Sequence, residues 1–157
     1  MSQPLPSHRS LLSYLNPSLQ QWVSGPHRML IDGQWVEAAS GQTLPVYAPA
    51  TGETVAHVPA GDGEDIDRAV AAARRAFEEG PWRRMAPAER ARLLFRVADL
   101  LEEHADEFAQ LESLDTGQSV NYFRMGAVPG AANMLRYMAG WATKIEGETI
   151  PIGDGTR

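Results

Sequence analysis

Cysteine is absent from all 157 residues. Within these residues that excludes disulfides, a thiolate nucleophile and thiolate metal ligands. Absence of cysteine is compatible with either redox compartment. Long apolar runs are also missing, and none approaches the roughly 20 residues a bilayer-spanning helix needs. The opening stretch has no apolar core followed by a small-residue cleavage site, so no signal peptide is expected. The cytoplasm is the expected compartment, and no membrane partner is expected. Basic patches with interleaved aromatics are lacking, and the net charge is −6, so no nucleic-acid partner is expected. Internal repeats and low-complexity tracts are not visible.

Hydrophobic residues make up 43% and charged residues 22%, which argues for a soluble globular chain over a disordered one. Leu11, Leu12, Leu15, Leu19 and Trp22 recur at helical spacing. Asn16-Pro17 breaks that run and restarts it, with proline in an allowed first-turn position. Residues 7–24 therefore read as one or two short helices of an appended arm that docks elsewhere.

Beyond Gly25-Pro26 the pattern changes. Met29-Leu30-Ile31, Asp32-Gly33 and Gln34-Trp35-Val36 spell a hairpin, because Asp-Gly accepts the positive φ angles of a primed turn. Leu44–Tyr47 and Thr54–Val58 read as two further strands joined by a Pro/Gly loop. From residue 62 the pattern is helical. Asp62 is a plausible N-cap with Asp65 three residues on. Ile66, Ala69, Val70, Ala73, Ala76 and Phe77 form one stripe that ends at Gly80-Pro81. Pro87 opens the next helix, with Leu93, Leu94, Val97, Leu100 and Leu101 as its buried face. A third spans Ala105–Asp115, with Phe108, Leu111 and Leu114 inward and Gly117 as its stop. A fourth covers Val120–Gly140, and Gly126, Pro129 and Gly130 predict a kink or interruption near its middle. Residues 144–152 read as extended.

Chemistry-bearing constellations are sparse. His8, His27, His57 and His104 are isolated from one another and read as surface or structural residues. The pairs Glu64-Asp65, Glu78-Glu79 and Glu102-Glu103 read as solvated faces and favourable helix-end charges. No glycine pattern forms a dinucleotide or phosphate loop. Met125, Met134, Met138, Leu135 and Tyr137 suggest a pocket or, in the plainer reading, a helix buried on most of its surface.

Several phrases in order carry a resemblance. Leu30-Ile31-Asp32-Gly33-Gln34-Trp35-Val36, Pro49-Ala50-Thr51-Gly52-Glu53 and Gly61-Asp62 through Phe77 come first. Pro81-Trp82-Arg83, Pro87-Ala88-Glu89-Arg90 and Leu111 through Gly117 follow, then Tyr137 through Ala142 and Ile145 through Pro151. Over residues 28–152 this order resembles the aldehyde dehydrogenase family, and the flanking residues are most similar to its phenylacetaldehyde dehydrogenase branch. The resemblance implies an α/β fold: a small N-terminal antiparallel β-hairpin or meander followed by about four α-helices, leading into a Rossmann-like domain. It implies an N-terminal helical arm over 1–27, the first part of the NAD(P)-binding domain over 28–143, and the start of an oligomerisation arm over 144–157.

The resemblance further implies NAD(P)-dependent oxidation of an aldehyde to its carboxylic acid. A cysteine is the family's nucleophile, a glutamate its general base and an asparagine its oxyanion donor. These, and the residues that contact NAD or NADP, follow the present segment in the family, so no catalytic or cofactor-binding residue is assigned here. The expectation is a truncated fragment, inactive alone, from a homodimer or homotetramer. The alternative is a non-catalytic remnant acting as an assembly or binding module. Apolar stripes without their sheet are expected to be partly exposed.

Two features carry over residue by residue. The family often holds a monovalent cation (K or Na) on backbone carbonyls and one aspartate, and the matching positions are Val46, Tyr47 and Asp115. Asp115 could equally hydrogen-bond the turn before Gly117. Gly126 and Gly130 match positions lining the family's aldehyde entry tunnel, where small residues imply a bulky, aromatic aldehyde such as phenylacetaldehyde. Packing of that helix against a neighbour is the structural alternative. Ala48 replaces the family's asparagine before the loop proline, which removes a side-chain acceptor.

Overall fold

A computed structural model describes residues 11–148. The first residues of the expected arm and the phrase Thr149-Ile150-Pro151 lie outside them. The chain is mixed α/β, with two separate antiparallel strand pairs followed by helices.

A 3₁₀ turn, Leu11–Tyr14, precedes helix α1, Pro17–Val23. Asn16 caps α1 by accepting the Leu19 N–H at 2.9 Å, and Pro17 fills the first turn, where its missing N–H costs nothing. Leu15, Leu19 and Val23 are buried against Leu12, Ala56, Leu111 and Leu114, so the arm docks on this same unit. The Asn16 N–H also donates to Gln110 Oε1 at 2.7 Å.

Strand β1, Met29–Ile31, pairs with β2, Gln34–Val36. Asp32 and Gly33 both take positive φ, 53° and 74°, as a primed turn requires. Strand β3, Thr43–Tyr47, pairs with β4, Thr54–Pro59. The two pairs do not join into one meander. Both members of each pair are edges, so Pro45 and Pro59 remove no ladder bond that a third strand would need. The loop between β3 and β4 closes without a side chain at position 48. The Ala48 N–H donates to Glu53 O at 2.9 Å, and Ala48 O accepts the Gly52 N–H at 2.8 Å.

Helix α2 runs Gly63–Glu79 and is followed by a short turn of helix, α3, Pro81–Arg84. At its start Asp62 accepts the Glu64 N–H at 3.0 Å, while Asp65 accepts the Asp62 N–H at 3.2 Å. Asp65 is only 1% exposed, which corrects its reading as a solvated charge. Its carboxylate also accepts the Ala39 N–H at 3.0 and 3.2 Å and lies 3.4 Å from Arg68 Nη1. A carboxylate with several donors can be buried where a lone one cannot. The α2 stripe faces outward: Ile66, Val70 and Phe77 are all exposed, Phe77 at 75%.

Helices α4, Pro87–Glu103, and α5, Ala105–Thr116, come next. The Glu89 carboxylate accepts the Ala86 N–H at the start of α4. A last helical run comprises α6, Val120–Tyr122, a π turn at Phe123–Ala127, and α7, Val128–Trp141. The expected mid-helix disturbance is this π turn. The Val128 N–H reaches back five residues to Phe123 O. Pro129 supplies no N–H and its ring crowds the carbonyl of Met125, so the wide turn just before it relieves the clash.

Helices α4 and α7 make the most extensive helix–helix contact. The buried residues of these two helices are mostly small: Ala98 and Ala132 are 0% exposed and Ala139 is 1% exposed, with Val128 beside them. Leu93, Val97 and Leu100, expected as the buried face of α4, are exposed instead, and Leu94 and Leu101 are half-buried. Alanines permit the close helix approach, and the leucine stripe borders an open groove with Trp22 and Phe108. Residues 144–148 carry no regular strand.

Candidate functional site

Two regions hold the residues singled out in the sequence. The first lies where the β3–β4 pair meets the C-terminus of α5. Gly117 ends α5 in the left-handed region, φ 74°, and a Cβ there would come within 3.5 Å of Pro49. The loop between the strands is thereby seated on the helix end. A cavity of about 300 Å³ at this junction is lined by Val46 and Asp115 together, with Trp22, His27 and Val58 around them.

The β3–β4 register slips between Val46 and Tyr47: Val46 faces Ala56 while Tyr47 faces Thr54, so Val55 is the bulged residue. A bulge disrupts the ladder and re-aims backbone groups. Tyr47 is exposed and does not line the cavity. The turn before Gly117 is closed by other groups. Ser113 Oγ donates to Gln118 O at 2.6 Å and Thr116 Oγ1 to Glu112 O at 2.7 Å. The Asp115 carboxylate is exposed and is not needed for that turn. Carbonyl and carboxylate oxygens at one cavity suit a hard cation. Among the described residues no group of three or more His, Asp or Glu side chains is arranged to hold a metal.

The second region is the outer face of the last helical run. Gly126, Gly130, Met134 and Met138 succeed one another at four-residue steps, so they share a face, with Tyr137 and Trp141 beside them. A Cβ at Gly126 or Gly130 would meet nothing within 4 Å. Met125, Met134, Tyr137, Met138 and Trp141 are exposed, and the Tyr137 and Trp141 rings meet edge-on at 6.3 Å. Among the described residues this helix is thus buried along one seam, not on most of its surface, and no neighbour packs on the two glycines.

Sequence reasoning passed over the charged side of the same helix. Arg136 donates to Glu102 from both terminal nitrogens, at 2.7 and 2.6 Å, and to Asp99 at 2.8 Å. The guanidinium hydrogen bond holds the Glu102 carboxyl below the usual carboxylate range, and the two carboxylates hold Arg136 more firmly protonated still. Glu102 is therefore not simply part of a solvated pair. The signal available in the sequence is a carboxylate pair at i, i+3, Asp99 and Glu102, facing a lone arginine on an otherwise apolar helix.

His27 bonds Val23 O at 3.1 Å and His104 pairs with Glu107 at 2.8 Å, so both have structural partners. His8 lies outside the described residues. Among the described residues one strand runs through a turn with two glycines into a helix, β4 through Ala60-Gly61-Asp62-Gly63 into α2, but it lacks the G-x-G-x-x-G phrase, and β4 lies in an antiparallel pair and not in a βαβ unit. No helix among them is long and apolar enough to cross a membrane.

Residues 35–157 match the profile of the aldehyde dehydrogenase family. The chain is 53% identical over 127 residues to a phenylacetaldehyde dehydrogenase of Pseudomonas fluorescens, covering 81% of this chain and 25% of that protein. It is 52% identical over 124 residues to a mitochondrial benzaldehyde dehydrogenase of Antirrhinum majus, covering 79% and 23%. The NAD+ complex of an aldehyde dehydrogenase from Bacillus cereus superposes with a TM-score of 0.83 at 45% identity, covering 89% of this chain and 28% of that one. The chain spans about a quarter of the length of the curated relatives it matches.

Proposed function

This chain belongs to the aldehyde dehydrogenase family, and from that premise we propose that it is the leading segment of an enzyme that oxidises a bulky aldehyde to its carboxylic acid. A nicotinamide dinucleotide, NAD or NADP, supplies the hydride acceptor in that reaction when bound. None of the residues here is assigned to its binding, so no step is routed through it. With no cysteine in the sequence, they do not supply the family's nucleophile either. The 157-residue chain alone is proposed to be inactive.

What these residues contribute is shape and order. The single observation that carries the substrate reading is the face shared by Gly126 of the π turn and Gly130 of α7, which are side-chain-free positions in an apolar surround. Gly126 and Gly130 sit in open space beside an apolar run of Met134, Tyr137, Met138 and Trp141. A wall of this kind leaves room for an aromatic ring and gives it apolar and edge-on partners. Similarity to the phenylacetaldehyde and benzaldehyde enzymes supports the same class. At the α5 end, the Val46 and Tyr47 carbonyls with Asp115 are proposed to hold a monovalent cation, K or Na, that locks the β3–β4 pair onto the helix. Residues 1–27 are assigned to the arm, 28–143 to the front of the dinucleotide-binding domain and 144–157 to the start of an oligomerisation arm of a homodimer or homotetramer. The exposed α2 stripe favours, as a second reading, an assembly module that covers this stripe with a partner subunit.

The test is Gly130→Met in the product of the whole reading frame. A side chain in that open space should raise KM for phenylacetaldehyde well above its effect on acetaldehyde. Equal effects on the two aldehydes would remove the substrate assignment.

A further inference from the structure

The α4–α7 seam has a mechanical weakness. Ala98, Ala132 and Ala139 let the helices approach closely, but small side chains make shallow ridges. Shallow ridges resist separation better than they resist rotation of one helix about its own axis. Rotation of α7 would carry Gly126, Gly130 and Met134 away from whatever they face. Val128, also buried, adds a larger ridge at one end, and toward the other end a second constraint beside packing would fix the rotational setting.

We propose that Arg136 is a positioning residue for this wall: its ionic fork to Glu102 and Asp99 fixes the rotation of α7, and through it the selectivity for bulky aldehydes. Arg136 is 27% exposed on its side chain, and its two terminal nitrogens meet the Glu102 carboxylate end-on at 2.6 and 2.7 Å. The third bond is donated to Asp99 at 2.8 Å, a carboxylate three residues earlier on the same face of α4. A planar fork held at two points along α4 sets both angle and height, which a point charge does not. Within α7, Arg136 flanks the alanine seam and lies far around the helix from the open face. It therefore touches no substrate on this reading and acts only through the helix that carries Gly126 and Gly130. The inference rests on the assignment of that face as a substrate wall.

The experiment uses two readouts on the product of the whole reading frame. Ala132→Cys places a thiol in the seam and Ala109→Cys places one in the buried face of α5, each followed by thiol labelling with peptide-resolved mass spectrometry. Added Arg136→Lys keeps the charge but not the fork. It should raise labelling at position 132 about tenfold and leave position 109 unchanged, as for a local opening. Glu102→Gln, an exposed change on the other side of the fork, should reproduce the effect. The ratio of KM for phenylacetaldehyde to KM for acetaldehyde should shift with Arg136→Lys while kcat for acetaldehyde holds. Unchanged labelling at 132, or a parallel rise at 109 that signals general loosening, overturns the proposal. Raised labelling at 132 with an unchanged KM ratio overturns the link to selectivity. A parent protein that oxidises neither aldehyde defeats the functional reading instead, and the labelling still decides whether the fork holds the helix.

Discussion

Replacing Asp65 with alanine removes the acceptor for two backbone N–H groups and one guanidinium. The carboxylate accepts from Ala39 N at 3.0 and 3.2 Å, from Asp62 N at 3.2 Å and from Arg68 Nη1 at 3.4 Å. The first bond joins the turn after β2 to α2, across 26 residues of sequence. The second closes the N-terminal cap. Each hydrogen bond to a charged acceptor contributes roughly 1.5–3 kcal/mol net, and the longest contact counts least. Two such bonds, with a weak third adding little, put the loss at roughly 3–6 kcal/mol, above the ~1 kcal/mol of an ordinary cap deletion. The readout that isolates it is amide exchange in the peptides holding Ala39 and Asp62. A local loss of about 3 kcal/mol corresponds to roughly a hundredfold loss of protection. Asp65→Asn keeps one carbonyl acceptor and should cost less than half as much. Protection that survives Asp65→Ala, or an asparagine as damaging as alanine, would refute the view that this buried carboxylate pins the hairpin to α2.

The alanine seam predicts its own sensitivity. Ala132→Leu should overpack the α4–α7 contact and destabilise by roughly 1–3 kcal/mol, measured by urea unfolding; a neutral outcome would mean the seam is not tightly packed. The Glu102–Arg136 pair predicts an acid dependence. Because Glu102 is depressed in the folded chain, its contribution is present above the ordinary carboxylate range and is lost as pH falls through the folded value. A carboxyl NMR titration should place Glu102 below the ordinary carboxylate range, and Arg136→Met should return it to that range; a midpoint unmoved by Arg136→Met contradicts this. Calorimetry on the 157-residue chain should show no NAD+ binding, and micromolar affinity would show that a dinucleotide site was missed.

Local structure was readable where one residue's stereochemistry decides it. Asp32-Gly33 dictates a turn with positive φ at both positions, and β1 and β2 flank it as expected. Asp62, Gly80 and Pro87 bound α2 and open α4 because caps and prolines act within one turn. Pro129 announced a disturbance but not its kind, since a kink and a π turn both relieve the same clash. Burial was less readable. Periodicity shows that Ile66, Val70 and Phe77 share a face, but not whether anything covers it, and here they are exposed. Alanines such as Ala98 and Ala132 carry little hydropathy signal, yet they are fully buried in the two helices that make the most extensive contact. Asp65 and Arg136 were missed as anchors because their value lies in partners 26 and 34 residues away. Of the candidate site residues, Val46 and Asp115 share one cavity, Tyr47 stands just outside it, and Gly126 and Gly130 share one open face.

The most direct test is the rate of nicotinamide reduction by the product of the whole reading frame, with phenylacetaldehyde and acetaldehyde as alternative substrates. The account predicts aldehyde-dependent reduction with the larger kcat/KM for phenylacetaldehyde, and none from the 157-residue chain. Absence of aldehyde-dependent reduction in the whole product, or turnover by the 157 residues alone, would contradict it.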